Sequence, residues 1–171
     1  MDNIKFAKVR NEAIIPTREK YNAGLDIYCC FDEHYMIIEP NETKLIPTGV
    51  ASAIPLDYYI QIQERGSSGN KGIKYSAGVI DSSYRGEWFL ATTNINKKPI
   101  LIIKKEILNN MNGISKELIK KGYVIYPYEK ALFQGIVHNV CNGIEQEEIS
   151  FKELSKIPSE RGSGKLGSSG K

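Results

Sequence analysis

The sequence predicts an all-β domain that contains one short helical segment, and three features of the 171-residue chain support this fold class. Short apolar runs are separated throughout by Gly, Pro and Asn, residues that favour turns. Residues 58–63 alternate, so that Tyr58, Ile60 and Ile62 share one face of a predicted strand. One stretch, residues 97–122, instead places apolar side chains close to helical spacing. Many short strands are typical of a β-sandwich, a barrel or a jelly roll, and the strand pattern leaves these three open.

The remaining strands are predicted from local composition. Within residues 36–55, two apolar runs flank Pro40 and Asn41, which indicates a β-hairpin. Residues 87–95 and 131–140 are rich in β-branched and aromatic side chains, so each is expected to form a strand. No internal repeat is apparent in the sequence.

A helical insert is predicted at about residues 97–122. Gly122 is a typical helix stop, while Gly113 and three asparagines weaken the helix, so one helix and two short ones are both compatible with the pattern. The insert contains seven lysines and two glutamates, a formal charge of +5, against +3 for the whole chain. It is therefore interpreted either as a solvated surface helix or as a basic surface that binds a protein partner or attracts anions.

Composition excludes several classes of function. A chain of 171 residues with 41% hydrophobic and 25% charged residues fits a single globular domain. Its net charge of +3 is too small to indicate nucleic-acid binding. Because no apolar run approaches the roughly 18 to 20 residues of a transmembrane helix and the N-terminus lacks a signal-peptide pattern, we expect a cytoplasmic protein that does not bind membranes.

The cysteines and histidines also exclude some chemistry. Cys29 and Cys30 are adjacent and Cys141 is distant, a pattern that fits reduced thiols rather than a disulfide framework. The two histidines, His34 and His138, occur in no zinc-binding motif, so a dedicated zinc site is not expected. Any catalysis is therefore expected to use carboxylates.

Two stretches in the first half of the chain suit ligand binding. In "NAGLDIY", Gly24 permits a close approach of the backbone two residues before the Asp26 carboxylate. In "ERGSSGNKG", Arg65 stands beside serines and glycines whose hydroxyl and N–H groups can bind phosphate oxygens. Taken alone, the second stretch is equally compatible with a plain surface turn.

Three later stretches add further candidates. In "AGVIDSSYRGEW", Asp81 follows an apolar run and Tyr84 comes three residues later, although Asp81 alone could simply cap a turn. In "EKALFQG", Gln134 lies within a predicted strand. The terminal stretch "RGSGKLGSSGK" is either a flexible linker or a glycine-rich loop in which Arg161 binds an anion.

In this order the five stretches resemble the five motifs of the trimeric dUTPase family, the dUTP diphosphatases. "AGLDIY", "RGSSG", "GVIDSSYRGE", "EKALFQ" and "RGSGKLGSSG" are similar to motifs one to five and together span residues 23–170. The third and fifth matches are individually specific. Their common order makes coincidence improbable, so the tail is interpreted as part of the enzyme rather than a linker.

The resemblance implies a β jelly-roll subunit, a homotrimer with active sites between subunits, and Mg²⁺-dependent hydrolysis of dUTP to dUMP and pyrophosphate. This activity supplies dUMP and limits uracil in DNA. It also implies a division into a β domain at residues 1–157 and a flexible glycine-rich arm at residues 158–171 that closes the active site.

The family motifs imply a role for each candidate residue. Asp81 is implied as the general base that activates water, and Tyr84 as the side chain that leaves no room for a 2′-hydroxyl. Asp26 and Gln134 are implied to bind magnesium through water only, and Gln134 is also implied to bind substrate. The other residues implied to bind substrate lie in motifs two, three and five: Arg65, Gly66, Ser67, Ser68, Gly78, Ile80, Arg161, Leu166, Gly167, Ser168 and Ser169.

Three departures from the family pattern are visible. The second motif reads Arg-Gly-Ser where Arg-Ser-Gly is usual, which leaves open which of Gly66, Ser67 and Ser68 contacts phosphate. Leu166 stands where the family usually has a phenylalanine that stacks on the base. Residues 97–122 resemble the insertions known between the third and fourth motifs of phage and some bacterial members.

Two alternatives to dUTP hydrolysis stay open on the sequence. One is a dCTP deaminase, a relative of the same fold that normally lacks the complete glycine-rich tail motif. The other is a regulatory role in which the basic insert binds a protein partner, a role that is compatible with catalysis elsewhere on the molecule.

Overall fold

The computed structural model describes residues 3–110 and 121–159. The chain divides into two compact units, Met1–Val140 and Cys141–Lys171. The first unit contains all the β-strands of the described residues, whereas the described part of the second contains one short helix. None of the helices in these ranges is long and apolar enough to span a bilayer.

Twelve strands and three short helices are found in the described residues. In chain order the strands are β1 (Lys5–Lys8), β2 (Gly24–Ile27), β3 (Tyr35–Ile38), β4 (Thr43–Pro47), β5 (Val50–Ala53), β6 (Tyr58–Glu64), β7 (Ile73–Tyr75), β8 (Val79–Ile80), β9 (Phe89–Asn94), β10 (Ile100–Ile103), β11 (Val124–Pro127) and β12 (Phe133–Asn139). The helices are α1 (Gly66–Gly69), α2 (Lys105–Asn110) and α3 (Phe151–Leu154). The predicted all-β class is confirmed.

The strands form four small sheets. Their orders are β1-β5, β11-β10-β3, β2-β12-β6-β8 and β4-β9-β7. All pairs are antiparallel except β10 and β11, which run parallel. The four-stranded sheet matters most for function, because it carries the candidate residues of motifs one, three and four.

One hydrophobic core joins the three larger sheets. Its buried side chains come from strands of each, among them Ile27, Ile60, Leu90 and Ile102. Trp88 is fully buried, and the ring of Phe6 packs edge-on against it at a centroid distance of 5.6 Å. The alternation predicted in β6 is confirmed, since Ile60 and Ile62 are buried while the residues between and beyond them are not.

The hairpin predicted around Pro40 and Asn41 is wrong. A turn does form there: Asn41 has a φ of 62°, and the Glu42 N–H donates to the Glu39 carbonyl at 3.0 Å. However, β3 pairs with β10 and β4 pairs with β9, so the turn passes the chain from one sheet to another. Local turn chemistry predicts a reversal of the chain but does not determine which strands then pair.

The boundaries of the predicted helical insert are also wrong. Residues 100–103 form β10, a strand with all four residues buried between β3 and β11. A short apolar run that is buried on both faces shows no alternation, so its periodicity does not distinguish strand from helix. Within the described residues the helical part of this segment is α2, and residues 111–120 lie outside them. Because β10 and β11 are parallel, the two strands do not form a hairpin.

Candidate active site

A polar cavity of about 500 Å³, here called the Asp26 cavity, lies where β2, β6 and β12 approach α1. It brings together candidates from motifs one, two and four, which together span more than 100 residues of the chain. Its lining residues are Tyr21, Asn22, Ala23, Gly24, Asp26, Arg65, Gly66, Ser67, Lys130 and Gln134. The fold therefore brings residues of these three motifs to one cavity.

Strand pairing places Gln134 beside Asp26. The two residues are directly opposite across β12 and β2, and Gln134 faces Gln63 on its other side. The Gln134 carboxamide lies over Gly24, where an added Cβ would be only 2.5 Å from Oε1. Its nitrogen donates to the Glu64 carbonyl at 2.9 Å, which fixes the orientation of the amide. The close approach expected at Gly24 is thus an approach of this side chain.

Arg65 and Asp26 form a two-pronged ion pair inside the cavity. Arg65 Nε lies 2.8 Å from Asp26 Oδ1, and Nη2 donates to Oδ2 at 3.0 Å. The third guanidinium nitrogen, Nη1, donates to the carbonyl of Ala131 at 3.1 Å. This geometry is the strongest form of an arginine–carboxylate contact, and it holds both side chains in place.

The single turn of α1 separates the roles of the two serines of motif two. Ser68 is fully buried, and its hydroxyl bonds both the N–H and the carbonyl of Arg65, at 3.2 and 3.1 Å. Ser68 therefore holds the turn and is not among the residues that line the cavity. Ser67 does line it, and its buried Oγ has no hydrogen-bond partner among the described residues. The neighbouring Tyr126 hydroxyl donates to Ala131 at 2.7 Å, and its proximity to the Ser67 hydroxyl partly offsets the effect of burial on the Tyr126 pKa.

Burial and hydrogen bonding perturb two ionisable groups near the cavity. Burial raises the pKa of Tyr126, so its hydroxyl stays protonated and can keep its bond to Ala131. Burial opposes ionisation of Glu64, but bonds from the Tyr75 N–H (2.8 Å) and from Lys74 (3.1 Å) outweigh this effect and lower its pKa. Glu64 thereby links the end of β6 to β7.

Asp81 lies in a second, smaller pocket of about 230 Å³, here called the Asp81 pocket. Its lining residues are Tyr75, Ala77, Val79, Ile80, Asp81, Tyr84 and Phe89. The two-residue strand β8 pairs with β6 and ends at Ile80, which leaves the Asp81 side chain exposed. The Asp81 carbonyl accepts from the Tyr84 N–H at 3.1 Å, so a turn presents both side chains from one loop.

Two residues of the third motif to which the sequence analysis gave no role, Gly86 and Glu87, fix the position of Tyr84. The ring lies against Gly86, where an added Cβ would be 2.5 Å from the Tyr84 hydroxyl oxygen. That hydroxyl donates to the Glu87 carbonyl at 2.9 Å. The Glu87 carboxylate in turn accepts from Gly49 N at 2.8 Å and from Arg10 Nε at 3.2 Å. The signal in the sequence was a glycine two residues after the tyrosine.

Gly78 lies at the sheet rather than in the Asp81 pocket. Its carbonyl accepts from the Ile62 N–H at 2.7 Å, and an added Cβ would be 2.5 Å from Gln61 Nε2. Its main chain is therefore held by β6. Ile80 does line the pocket.

The Asp26 cavity and the Asp81 pocket are well separated within one chain. Ile80 pairs with Ile60, which precedes Arg65 by five residues on β6. At about 3.3 Å per residue, this register places Ile80 about 16 Å from Arg65 along the strand. The Arg65 side chain, moreover, is bound to Asp26 on β2, on the opposite side of β6 from β8. The chain alone does not bring Asp81 to the Asp26 cavity.

The described residues offer limited ligands for a metal ion. Within residues 3–110 and 121–159 there is no cluster of three or more His, Cys, Asp or Glu side chains that could hold one. The Asp26 carboxylate and the Gln134 amide are adjacent oxygen donors in the cavity. This donor set fits a magnesium ion that keeps most of its waters. The motif-five residues Arg161, Leu166, Gly167, Ser168 and Ser169 lie outside the described residues.

The chain is all-β, and its two pockets hold an arginine–carboxylate pair in one and a carboxylate beside a tyrosine in the other. Its sequence matches the model of a known family. The family model described as dUTPase matches residues 10–108, more than half of the chain. The deoxyuridine 5′-triphosphate nucleotidohydrolase of Nautilia profundicola is 35% identical over 98% of this chain and 99% of its own length. The chain therefore belongs to the dUTPase family.

Solved structures agree on the fold. The dUTPase of Staphylococcus bacteriophage 80alpha with dUPNHPP superimposes with a TM-score of 0.71, at 21% identity and over 100% of both chains. A dUTPase from phage phi11 of S. aureus, described with a structural Mg(II) ion, has a TM-score of 0.63 at 19% identity and covers 88% of this chain and 99% of its own. The predicted dUTPase-like fold is confirmed.

Proposed function

We infer that the protein hydrolyses dUTP to dUMP and pyrophosphate, the activity for which its curated relatives are named. In this reaction one water molecule adds to the α-phosphorus, the bond to the bridging oxygen breaks, and pyrophosphate leaves. The proposal rests on the residues that line the two pockets. The Asp26 cavity offers cations and hydroxyls for phosphates, and the Asp81 pocket offers a base beside an aromatic ring.

Asp81 is proposed as the general base. Its carboxylate is exposed, so it can accept a proton from a water that approaches from solvent or from a bound nucleotide. Tyr84 lies in the same pocket and is fixed by Gly86 and Glu87, so its ring is a rigid wall. A rigid wall against C2′ of the sugar would exclude a 2′-hydroxyl and thereby reject UTP. Ile80 is proposed to contact uracil, together with main-chain groups near Gly78 other than the Gly78 carbonyl, which β6 occupies.

The Asp26 cavity is proposed to bind the phosphates through Arg65, Gly66 and Ser67. Arg65 keeps two N–H groups beyond the three bonds it makes to Asp26 and Ala131, and the unpartnered Ser67 hydroxyl can donate to an oxygen anion. Ser68 is not proposed as a direct contact, because its hydroxyl is occupied in the turn.

Magnesium is proposed as the cofactor, and Asp26 and Gln134 would hold its waters. A bound magnesium ion would neutralise charge on the triphosphate. The contribution of this chain is to hold the Asp26 carboxylate in a fixed orientation, which the two-pronged contact with Arg65 does.

A homotrimer with sites between subunits is proposed from the distance between the pockets. The strand register places Ile80, the residue before Asp81, about 16 Å along the strand from Arg65, so a neighbouring subunit is proposed to supply the base for the nucleotide whose phosphates Arg65 binds. The arm at residues 158–171, with Arg161 and Leu166 to Ser169, is proposed to close over the bound nucleotide.

The proposed activity is tested with a panel of dUTP, dCTP, dTTP and UTP, with and without Mg²⁺. Of the four nucleotides, we expect only dUTP to release pyrophosphate, and only when Mg²⁺ is present. Ammonia release from dCTP would instead indicate the deaminase, an alternative that is not favoured because the curated relatives are nucleotidohydrolases. Absence of dUTP cleavage in a correctly folded protein would overturn the proposal.

A protein partner at the basic insert is a second, separate proposal. Five of its lysines are described: Lys97, Lys98, Lys104, Lys105 and Lys121. Of these, Lys104 donates a hydrogen bond to the Asp32 carbonyl at 3.0 Å, and its ammonium lies over the Tyr128 ring. If the rest of the segment serves only to bind a partner, catalysis should not require it.

The insert is tested by a replacement that respects the strands. Exchange of residues 107–120 for a flexible Gly/Ser linker of about ten residues keeps β10 and leaves enough chain for the parallel crossover. We expect unchanged dUTP turnover and loss of partner capture in a pulldown. A folded variant without turnover would show that the insert shapes the active site. Deletion of residues 97–122 is not an equivalent test, since it removes the buried β10.

A further inference from the structure

The charged side chains that line the Asp26 cavity differ in whether they have an ion-pair partner. Asp26 and Arg65 cancel each other through their two-pronged contact at 2.8 and 3.0 Å. Lys130 also lines the cavity and, among the described lining residues, it is the cation without a carboxylate partner. The net positive charge that these side chains present to a ligand therefore comes from Lys130.

The backbone around Lys130 is well anchored although its side chain is exposed. Its N–H donates to the Pro127 carbonyl at 3.2 Å. The next residue, Ala131, is buried, and its carbonyl accepts from both Arg65 (3.1 Å) and Tyr126 (2.7 Å). The lysine thus extends from a fixed turn at the rim, and its flexible stem lets the ammonium follow a ligand into the cavity.

A second, independent feature indicates that the cavity receives an acceptor-rich ligand. The buried Oγ of Ser67 lacks a hydrogen-bond partner among the described residues. Because the Ser67 oxygen is buried, it can donate to a ligand oxygen in the cavity once its side chain rotates, and a ligand that accepts its proton is then favoured there. Ser67 and Lys130 line the same cavity, and an oxygen anion satisfies both.

We propose that Lys130 binds the terminal phosphates of the nucleotide and supplies the uncommitted positive charge of this site. The inference rests on the proposed dUTP hydrolysis. The α-phosphorus must lie where the Asp81 of another subunit can act, at the mouth of the cavity. The phosphates that leave as pyrophosphate then extend inward, between the Arg65–Asp26 pair and the Lys130 ammonium.

The proposal is tested by the dependence of binding on the number of phosphates. In Lys130→Gln we expect the dissociation constant of a non-hydrolysable dUTP analogue to rise about 10-fold, as for loss of one charge-assisted contact. The dissociation constant of dUMP should change by less than about 2-fold. Lys130→Arg should restore most of the affinity for the analogue, because it keeps the charge.

A matched control removes one lysine charge elsewhere. Lys8 is on β1, in a different sheet, and is not among the residues that line either pocket, so Lys8→Gln should leave both dissociation constants unchanged. The slope of affinity against salt should also fall in Lys130→Gln and not in Lys8→Gln.

The outcomes separate the two proposals. If the wild-type protein does not cleave dUTP, the proposed function fails. If it cleaves dUTP but Lys130→Gln binds the analogue as tightly as the wild type, Lys130 is excluded while the function stands. An equal loss of dUMP and analogue binding would place Lys130 at the α-phosphate or the nucleoside and would also overturn the assignment.

Discussion

The Asp26 cavity and the Asp81 pocket are proposed to hold two parts of one substrate, yet they are built in opposite ways. In the cavity, Arg65 and Gln134 are each fixed by hydrogen bonds to strands or turns of the same chain. In the pocket, the Asp81 carboxylate follows a two-residue strand, is exposed, and has no hydrogen-bond partner among the described residues. The side chains of the Asp26 cavity are thus held within the chain, whereas the Asp81 pocket presents its carboxylate to the outside.

This difference indicates where in the molecule stability and catalysis are coupled. Substitutions in the Asp26 cavity break contacts that also hold strands together, so they are expected to change both stability and activity. Substitutions at Asp81 remove chemistry without removing a contact of the same chain, so they are expected to change activity alone. The Tyr84 wall is intermediate, since its ring is braced by Gly86 and Glu87 but remains 43% exposed.

The largest effect is expected for Asp81→Asn. The amide keeps the shape of the side chain but cannot accept the proton, so kcat for dUTP should fall by about 10² to 10⁴-fold with nucleotide binding retained. The melting temperature should stay within about 1 °C of the wild type, because the side chain is exposed. Steady-state kinetics and thermal unfolding measure both quantities.

Asp32→Asn is the matched control, since it removes an exposed carboxylate whose ion pair to Arg10 spans 3.7 Å. It should leave kcat unchanged. Wild-type turnover in Asp81→Asn would remove this residue from the mechanism and, with it, the contrast between the two pockets.

A smaller effect is expected when the Tyr84 wall is displaced. A Cβ at Gly86 would come within 2.5 Å of the Tyr84 hydroxyl oxygen, so Gly86→Ala should push the ring away from its position. We expect the ratio of kcat/KM for dUTP to that for UTP to fall by about 10-fold, and further in Tyr84→Ala. Competition kinetics with both nucleotides measure this ratio. Unchanged selectivity in both variants would place sugar discrimination on other residues.

The smallest effect is expected for Arg65→Lys, and it should appear in two measurements at once. Lysine keeps the charge but loses the fork, so the contact to Asp26 weakens and the bond to Ala131 is lost. We expect the free energy of unfolding to fall by about 1 kcal/mol and KM for dUTP to rise a few-fold. Urea unfolding and kinetics on the same preparation are sufficient. A change in KM without a change in stability would show that Arg65 acts only on the substrate.

The sequence predicted the residues of the site better than their arrangement. The all-β class and the strands at β6, β9 and β12 followed from alternation and β-branched composition, which are local properties. The destinations of β3 and β4 and the buried strand β10 did not follow, because strand pairing and burial on both faces depend on the rest of the fold.

The same limit applies within the site. The family motifs drew attention to Asp26, Arg65 and Gln134, and the fold brings them together. Motif resemblance gave no reason to single out Lys130 or Gly86. The importance of Lys130 appears only once Arg65 is seen to be paired with Asp26, and that of Gly86 only once the Tyr84 ring lies against it.

The most direct test of the account mixes two defective subunits. Asp81→Asn lacks the base but keeps the Asp26 cavity, and Asp26→Asn keeps the base but loses the carboxylate that orients Arg65. Each variant is first shown to be a trimer with little turnover of its own, and the two are then co-refolded in equal amounts. If the two parts of each site come from different subunits, about half the sites receive a good base and, independently, about half receive a good cavity, so about a quarter of wild-type activity should return. Activity that stays at the level of the separate variants in verified mixed trimers would show that each site is built within one chain, and would contradict the account.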